Sequence, residues 1–247
     1  MVHKLAIVAI AGITISAVCL GAGGALEGRD FGRDFTSGGG FAALFDGDRP
    51  RCEAVSGGDV VTSRDLDWDG SDHVGLSIPG HATYTPGTDD RLHVSGDAAL
   101  VSHVRVRDGR VELDCRGWRR GSNLTITLPG REFNRFGIAG SGDLWLNKLN
   151  QDRVKLAIAG SGSIRADGKV ETAEVHIAGS GDINIGQVHA DVVEVHIAGS
   201  GNTDIAPTEE ADIHIAGSGD VNLHTNPKKL ETHIAGSGRI HNIPPGG

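Results

Sequence analysis

Apolar and polar residues alternate along most of this chain after residue 60, with a period of two. Val74, Leu76 and Ile78 share a parity before Pro79-Gly80. Leu92 and Val94, Val104 and Val106, Val111 and Leu113, and Leu124, Ile126 and Leu128 do the same. Such alternation puts the apolar side chains on one face of a strand. Asp108-Gly109, between Val106 and Val111, predicts a hairpin turn. Residues 51–133 therefore predict a region of short strands.

The pattern then becomes a repeat. Ile-Ala-Gly-Ser-Gly begins at Ile138, Ile158, Ile177, Ile197, Ile215 and Ile234, at separations of 20, 19, 20, 18 and 19. In the unit around Ile177, Val175 and Ile177 point inward, His176 points out, and Ile183 and Ile185 form a second inward pair. Between the pairs the chain must turn, and glycine supplies the positive φ and the close approach. Those corners are Gly140 and Gly142, Gly160 and Gly162, Gly179 and Gly181, Gly199 and Gly201, Gly217 and Gly219, and Gly236 and Gly238. Such a unit suits one rung of a three-sided solenoid, with rungs stacked about 4.8 Å apart. A rung cannot bury its face alone, which explains the array. The predicted fold class is all-β, with a parallel β-solenoid over 134–247. After Ile243, Pro244 and Pro245 are expected to blunt the last edge.

The N-terminus differs in kind. A basic start, Met1 to Lys4, precedes an uncharged apolar run from Leu5 to Ala25, and the first acid is Glu27. Residues 1–26 predict an apolar export helix, either a signal peptide cut after Ala22 or Ala25 or a membrane anchor through residues 5–25. Both alternatives export the chain beyond residue 26 to the cell envelope, periplasmic or extracellular. Residues 27–50 form a glycine-rich tether interrupted by Phe31, Phe35, Phe41 and Phe45. Cys19 lacks the flanks of a lipoprotein cysteine. Cys52 and Cys115 can form a disulfide in an oxidising compartment.

Composition sharpens this picture at two points. Aromatic residues make up only 4%, so the core must be aliphatic. The net charge of −9 argues against a nucleic-acid partner, and the Arg116, Arg119 and Arg120 cluster suits a solvated loop.

The repeated pentapeptide, with Asp182-Ile183-Asn184 and Asp220-Val221-Asn222, resembles the auto-transporter adhesin head GIN domain family. The strand from Leu124 to Pro129, leading into Phe136, is similar as well, so the resemblance covers roughly residues 55–243. It implies a right-handed parallel β-helix, export to the envelope, and adhesion without the catalytic residues of pectin-lyase-like helices. No translocator barrel is expected after the repeats, which would depart from a true auto-transporter.

Candidate chemistry is sparse. His176, His196, His214 and His233 each precede a repeat isoleucine and should stack as an exposed ladder. Such a ladder converges poorly on a metal ion, although protonation would set like charges one rung apart. The residue after each Gly-Ser-Gly is Asp143, Ser163, Asp182, Asn202, Asp220 or Arg239, a set that suits turn stabilisation better than calcium. Asp89-Asp90 and Glu209-Glu210 are adjacent along the chain and so point to opposite sides of a strand. Trp68, Trp118 and Trp145 suit packing more than sugar stacking. No catalytic residue, metal site or cofactor is expected. The sequence predicts a scaffold presenting a repetitive face to a glycan or a surface protein. A structural envelope protein without ligand and a carbohydrate-active β-helix enzyme remain the alternatives.

Overall fold

Strands of four to six residues open the described part of the chain. The computed structural model describes residues 50–52, 61–117 and 123–243. The export segment, the tether with its phenylalanines, Trp118, Arg119, Arg120 and the final prolines lie outside the described residues. The short strands are β1 (Ser63–Asp67), β2 (His73–Ser77), β3 (Gly80–Tyr84), β4 (Arg91–Gly96), β5 (Val104–Arg107), β6 (Arg110–Leu113) and β7 (Leu124–Thr127). A one-turn helix, α1 (Ala98–Val101), separates β4 from β5, and the Asp97 side chain caps it by accepting from the Ala99 N–H. The repeats continue as β8 (Arg135–Gly140), β9 (Asp143–Gly160), β10 (Ser163–Gly179), β11 (Asp182–Gly199) and β12 (Thr203–Ile205). The last strands are β13 (Pro207–Gly217), β14 (Asp220–Leu223), β15 (Lys229–Gly236) and β16 (Arg239–Asn242).

The repeats stack in parallel and in register. Ile138, Ile158, Ile177, Ile197, Ile215 and Ile234 are successive partners down one column. All but the last are buried, none more than 2% exposed. The β11 rung shows why it has three sides. Its buried positions are Ile183 and Ile185, then Val188 and Ala190, then Val193, Val195 and Ile197. Parity flips twice, and each flip marks a bend that keeps the next run pointing inward. Where rungs differ in length a bulge absorbs the extra residue. Lys148, at φ 54, lies in such a bulge between β9 and β10, its N–H held by the Asp167 carboxylate at 2.9 Å.

The corners explain the glycines. The Ser200 N–H donates to the Gly179 carbonyl at 2.8 Å, and the Ser161, Ser180, Ser218 and Ser237 N–H groups repeat that bond at the same length. Gly199 is at φ +139, and a Cβ there would meet the Gly179 oxygen at 2.1 Å. A Cβ on Gly201 would meet the Gly181 oxygen at 2.1 Å and Ile177 Cγ2 at 2.7 Å. Only glycine lets one corner rest on the next.

The columns do not stop at residue 134. β8 continues onto β2 and then β6, both parallel, while β9 continues onto β3 and then β7. The predicted hairpin is present, with β5 antiparallel to β6 across Asp108 and Gly109, both at positive φ. Cys52 and Cys115 are joined by a disulfide, with Cα atoms 4.9 Å apart. Elsewhere in this region the core turns aromatic, with Phe133 5.6 Å from Tyr84 and 5.2 Å from Trp68 between ring centroids. Among the described residues no helix is long and apolar enough to cross a membrane.

Candidate functional site

Parallel stacking turns each outward position into a column, and two pairs of columns carry the polar chemistry. The first is the histidine ladder. His176, His196, His214 and His233 stack with centroids 5.0, 5.0 and 4.8 Å apart and ring planes within 9° of parallel. The first three are half-buried rather than exposed, because each ring face is covered by its neighbour; the His176 side chain is only 16% exposed. A carboxylate column runs beside it, two residues earlier in each rung. His196 Nε2 is 2.6 Å from Glu194 and His214 Nε2 is 3.0 Å from Asp212. His176 and, on the rung before, Lys155 at 3.1 Å both hold Glu174, whose carboxyl is pulled down to about 2. Glu231, held by Lys229, is also below the usual carboxylate range. Sequence reasoning missed this acid column, though the signal was available: an acid of the same parity two positions before each histidine.

Asp212, His214 and His233 bring ligand atoms within 4.8 Å of one another. Rings stacked face to face direct their in-plane lone pairs along parallel lines. A metal ion about 2.0 Å from both nitrogens requires the rings to leave the stack.

The second pair of columns lies just past the Gly-Ser-Gly corners. Its first column is the predicted one, Asp143 to Arg239, and its side chains tie most rungs to the next. Asp182 accepts from the Asn202 N–H at 2.9 Å, Asn202 from the Asp220 N–H at 3.1 Å, and Asp220 from the Arg239 N–H at 2.9 Å. Arg239, through its side chain, also lowers the Asp220 carboxyl below its ordinary value. The second column, two residues on, was not recognised as a column from sequence: Trp145, Arg165, Asn184, Asp204, Asn222 and His241. Asp204 accepts from Asn184 at 3.2 Å and Asn222 at 3.1 Å, and His224 approaches it at 2.9 Å.

Together these columns line an open groove of about 470 Å³, from Ser163 and Arg165 at one end to His241 at the other. Carboxylates and amides alternate along and across it: Asp182 beside Asn184, Asn202 beside Asp204, Asp220 beside Asn222. One rung beyond Arg165 stands Trp145, 46% exposed rather than packed as the sequence suggested, because its strand position faces outward, and tilted against His81 with centroids 6.1 Å apart. Trp68 instead packs inside, its Nε1 donating to the Ser71 carbonyl at 2.9 Å. Glu209 and Glu210 pair with Lys228 and Lys229 of the next rung, each at 2.7 Å.

Comparison with known proteins places this architecture. A "putative adhesin" from Bacteroides fragilis NCTC 9343 is similar in structure, with a TM-score of 0.59 and 21% identity over 73% of this chain and 96% of that one. A "putative lipid binding protein" from Parabacteroides distasonis ATCC 8503 aligns at a TM-score of 0.45 and 21% identity, over 72% of this chain and 95% of that one. A "putative adhesin" from Parabacteroides merdae ATCC 43184 aligns at 0.43 and 13%, over 73% and 95%. No curated protein matches the chain. The family described as "Putative auto-transporter adhesin, head GIN domain" matches residues 72–227, which is more than half of the sequence and spans both the short strands and the repeats. The chain belongs to that family.

Proposed function

We propose that this protein is an exported, non-catalytic binding scaffold of the cell envelope that holds a glycan in the groove beside Trp145. The observation that carries the reading is the groove itself: a row of planar amides and carboxylates at rung spacing, with Arg165 and an exposed indole at one end. Amides and carboxylates offer paired donors and acceptors to hydroxyl groups, and an indole face offers an apolar platform. The repetition of acids down the columns supports binding over hydrolysis, because acid–base work needs two carboxyl groups in distinct surroundings.

The test is a glycan array with the purified protein, then titration of any hit. Trp145→Ala and Arg165→Ala should each weaken a bound glycan by about tenfold, since both side chains are solvent-facing. A hit whose affinity ignores both substitutions refutes the groove. One observation favours a second reading, an envelope protein without ligand: Asp182, Asn202 and Asp220 already serve the next rung's backbone. An array without hits supports it. Fractionation of cells, with sequencing of the mature N-terminus, tests the proposed export and separates a cleaved signal from an anchor.

A further inference from the structure

The two ends of the described solenoid are built differently. At the first end the outer strands fold back: β5 is antiparallel to β6, and β1 is antiparallel to β4. Those outer strands carry Arg64, Asp65 and Asp67 on β1 and Arg105 and Arg107 on β5, charges that discourage further pairing. At the other end, among the described residues, β15 pairs only with β13 and β16 only with β14. Each therefore presents an edge of backbone N–H and C=O groups with no strand against it. The inward side chains are uncovered too. Leu230 is 47% exposed and Ile234 is 44% exposed, where their partners on the rung before, Ala211 and Ile215, are 0% and 2% exposed. Ile243, just after β16, is 49% exposed.

We propose that this end is a self-association surface, on which β15 of one chain pairs antiparallel with β15 of a second copy about a two-fold axis at Thr232. The sequence around that axis is self-complementary. From residue 230 it reads Leu-Glu-Thr-His-Ile. Folded back with Thr232 opposite Thr232, Leu230 faces Ile234 and Glu231 faces His233, and symmetry makes each pair twice. Residues directly opposite in an antiparallel pair share a face. Leu230, Thr232 and Ile234 belong to the inward set and Glu231 and His233 to the outward set. Apolar thus meets apolar on the core side, and carboxylate meets imidazole outside.

Neighbouring registers lack this match. An axis at Glu231 sets the two Glu231 carboxylates against each other and Lys229 against His233. An axis at His233 sets histidine against histidine and Glu231 against Ala235. Lys229, already bridged to Glu210 at 2.7 Å and Glu231 at 2.8 Å, falls opposite Ala235 in the favoured register and keeps its partners. Because the first end is edged with charge, head-to-tail addition is discouraged, and an isologous contact closes at two copies.

The register is tested directly by crosslinking in the full chain carrying Cys19→Ser. Antiparallel partners have Cα atoms about 4.5–5.5 Å apart, within the range a disulfide spans. Thr232→Cys should therefore give, on oxidation, a reducible species of twice the 25.7 kDa chain mass. Lys229→Cys, which faces Ala235, should not. In sedimentation equilibrium, Glu231→Lys and His233→Glu should each weaken the dimer by about tenfold, and the double variant should restore it. Absence of the Thr232→Cys dimer overturns the proposal, as does equal crosslinking from Lys229→Cys. Association indifferent to the charge exchange also overturns it, since that points to contact through another region. A monomer in which residues 1–49 cover this edge overturns it as well.

Discussion

The rungs from Asp143 to Gly199 and the strands from Ser63 to Thr127 belong to the same sheet yet are held by different means. In the first, three strands of 18, 17 and 18 residues repeat one corner, and the core is entirely aliphatic. In the second, no strand exceeds six residues and no motif recurs. Aromatic packing around Phe133 and the Cys52–Cys115 disulfide serve there instead. A parallel column thus needs register and inward alternation but not identical sequence. Identity becomes obligatory only where one corner lies directly on another, as the first glycine of the series shows. A Cβ on Gly140 would meet nothing within 4 Å, whereas one on Gly160, Gly179, Gly199, Gly217 or Gly236 would strike the carbonyl of the equivalent glycine one rung before.

The largest expected effect comes from that contrast. Gly199→Ala should cost more than about 4 kcal/mol in urea or guanidinium unfolding, because positive φ and a backbone collision act together. Gly140→Ala, with strain alone, should cost about 1–3 kcal/mol. Equal costs would mean that stacking does not dictate the repeat. Next comes reduction of the disulfide, expected to cost about 2–4 kcal/mol for the long loop it closes. Hydrogen exchange should then show Ser63–Thr127 losing protection before β10; simultaneous loss would make the two regions one cooperative unit.

A smaller effect probes the polar ties between rungs. Asn202→Ala removes an acceptor for the Asp220 N–H and should cost about 1 kcal/mol, measured by the same unfolding. The smallest concerns acid. Glu174 has a folded pKa of about 2 against an ordinary 4.5, so its contribution is complete above 4.5 and is lost as pH falls toward 2. Partial exposure keeps that contribution under about 1 kcal/mol. Glu174→Gln should therefore lessen the loss of stability between pH 4.5 and 2 and leave the Gly199→Ala deficit unchanged.

Local chemistry was legible wherever spacing alone carries it. Ile138 and its five equivalents gave the column, Asp108-Gly109 the hairpin, and the histidines preceding the last four repeat isoleucines the ladder. The candidate groove was legible by half. Its first column is set directly by the corner, but Asn184, Asp204 and Asn222 acquire meaning only once they share a wall with residues one rung away. Trp145, which the sequence suggested would pack, likewise takes its place only when register sets it at the end of that wall.

By itself the sequence determined the period, the inward parity and the need for glycine at each turn, because all three arise from covalent geometry within about twenty residues. Only the tertiary structure decided that β2 and β3 extend the repeat columns, which strands close one end, and which edge stays open. Those outcomes depend on pairings between residues as far apart as Leu76 and Ile138, and no local preference encodes them.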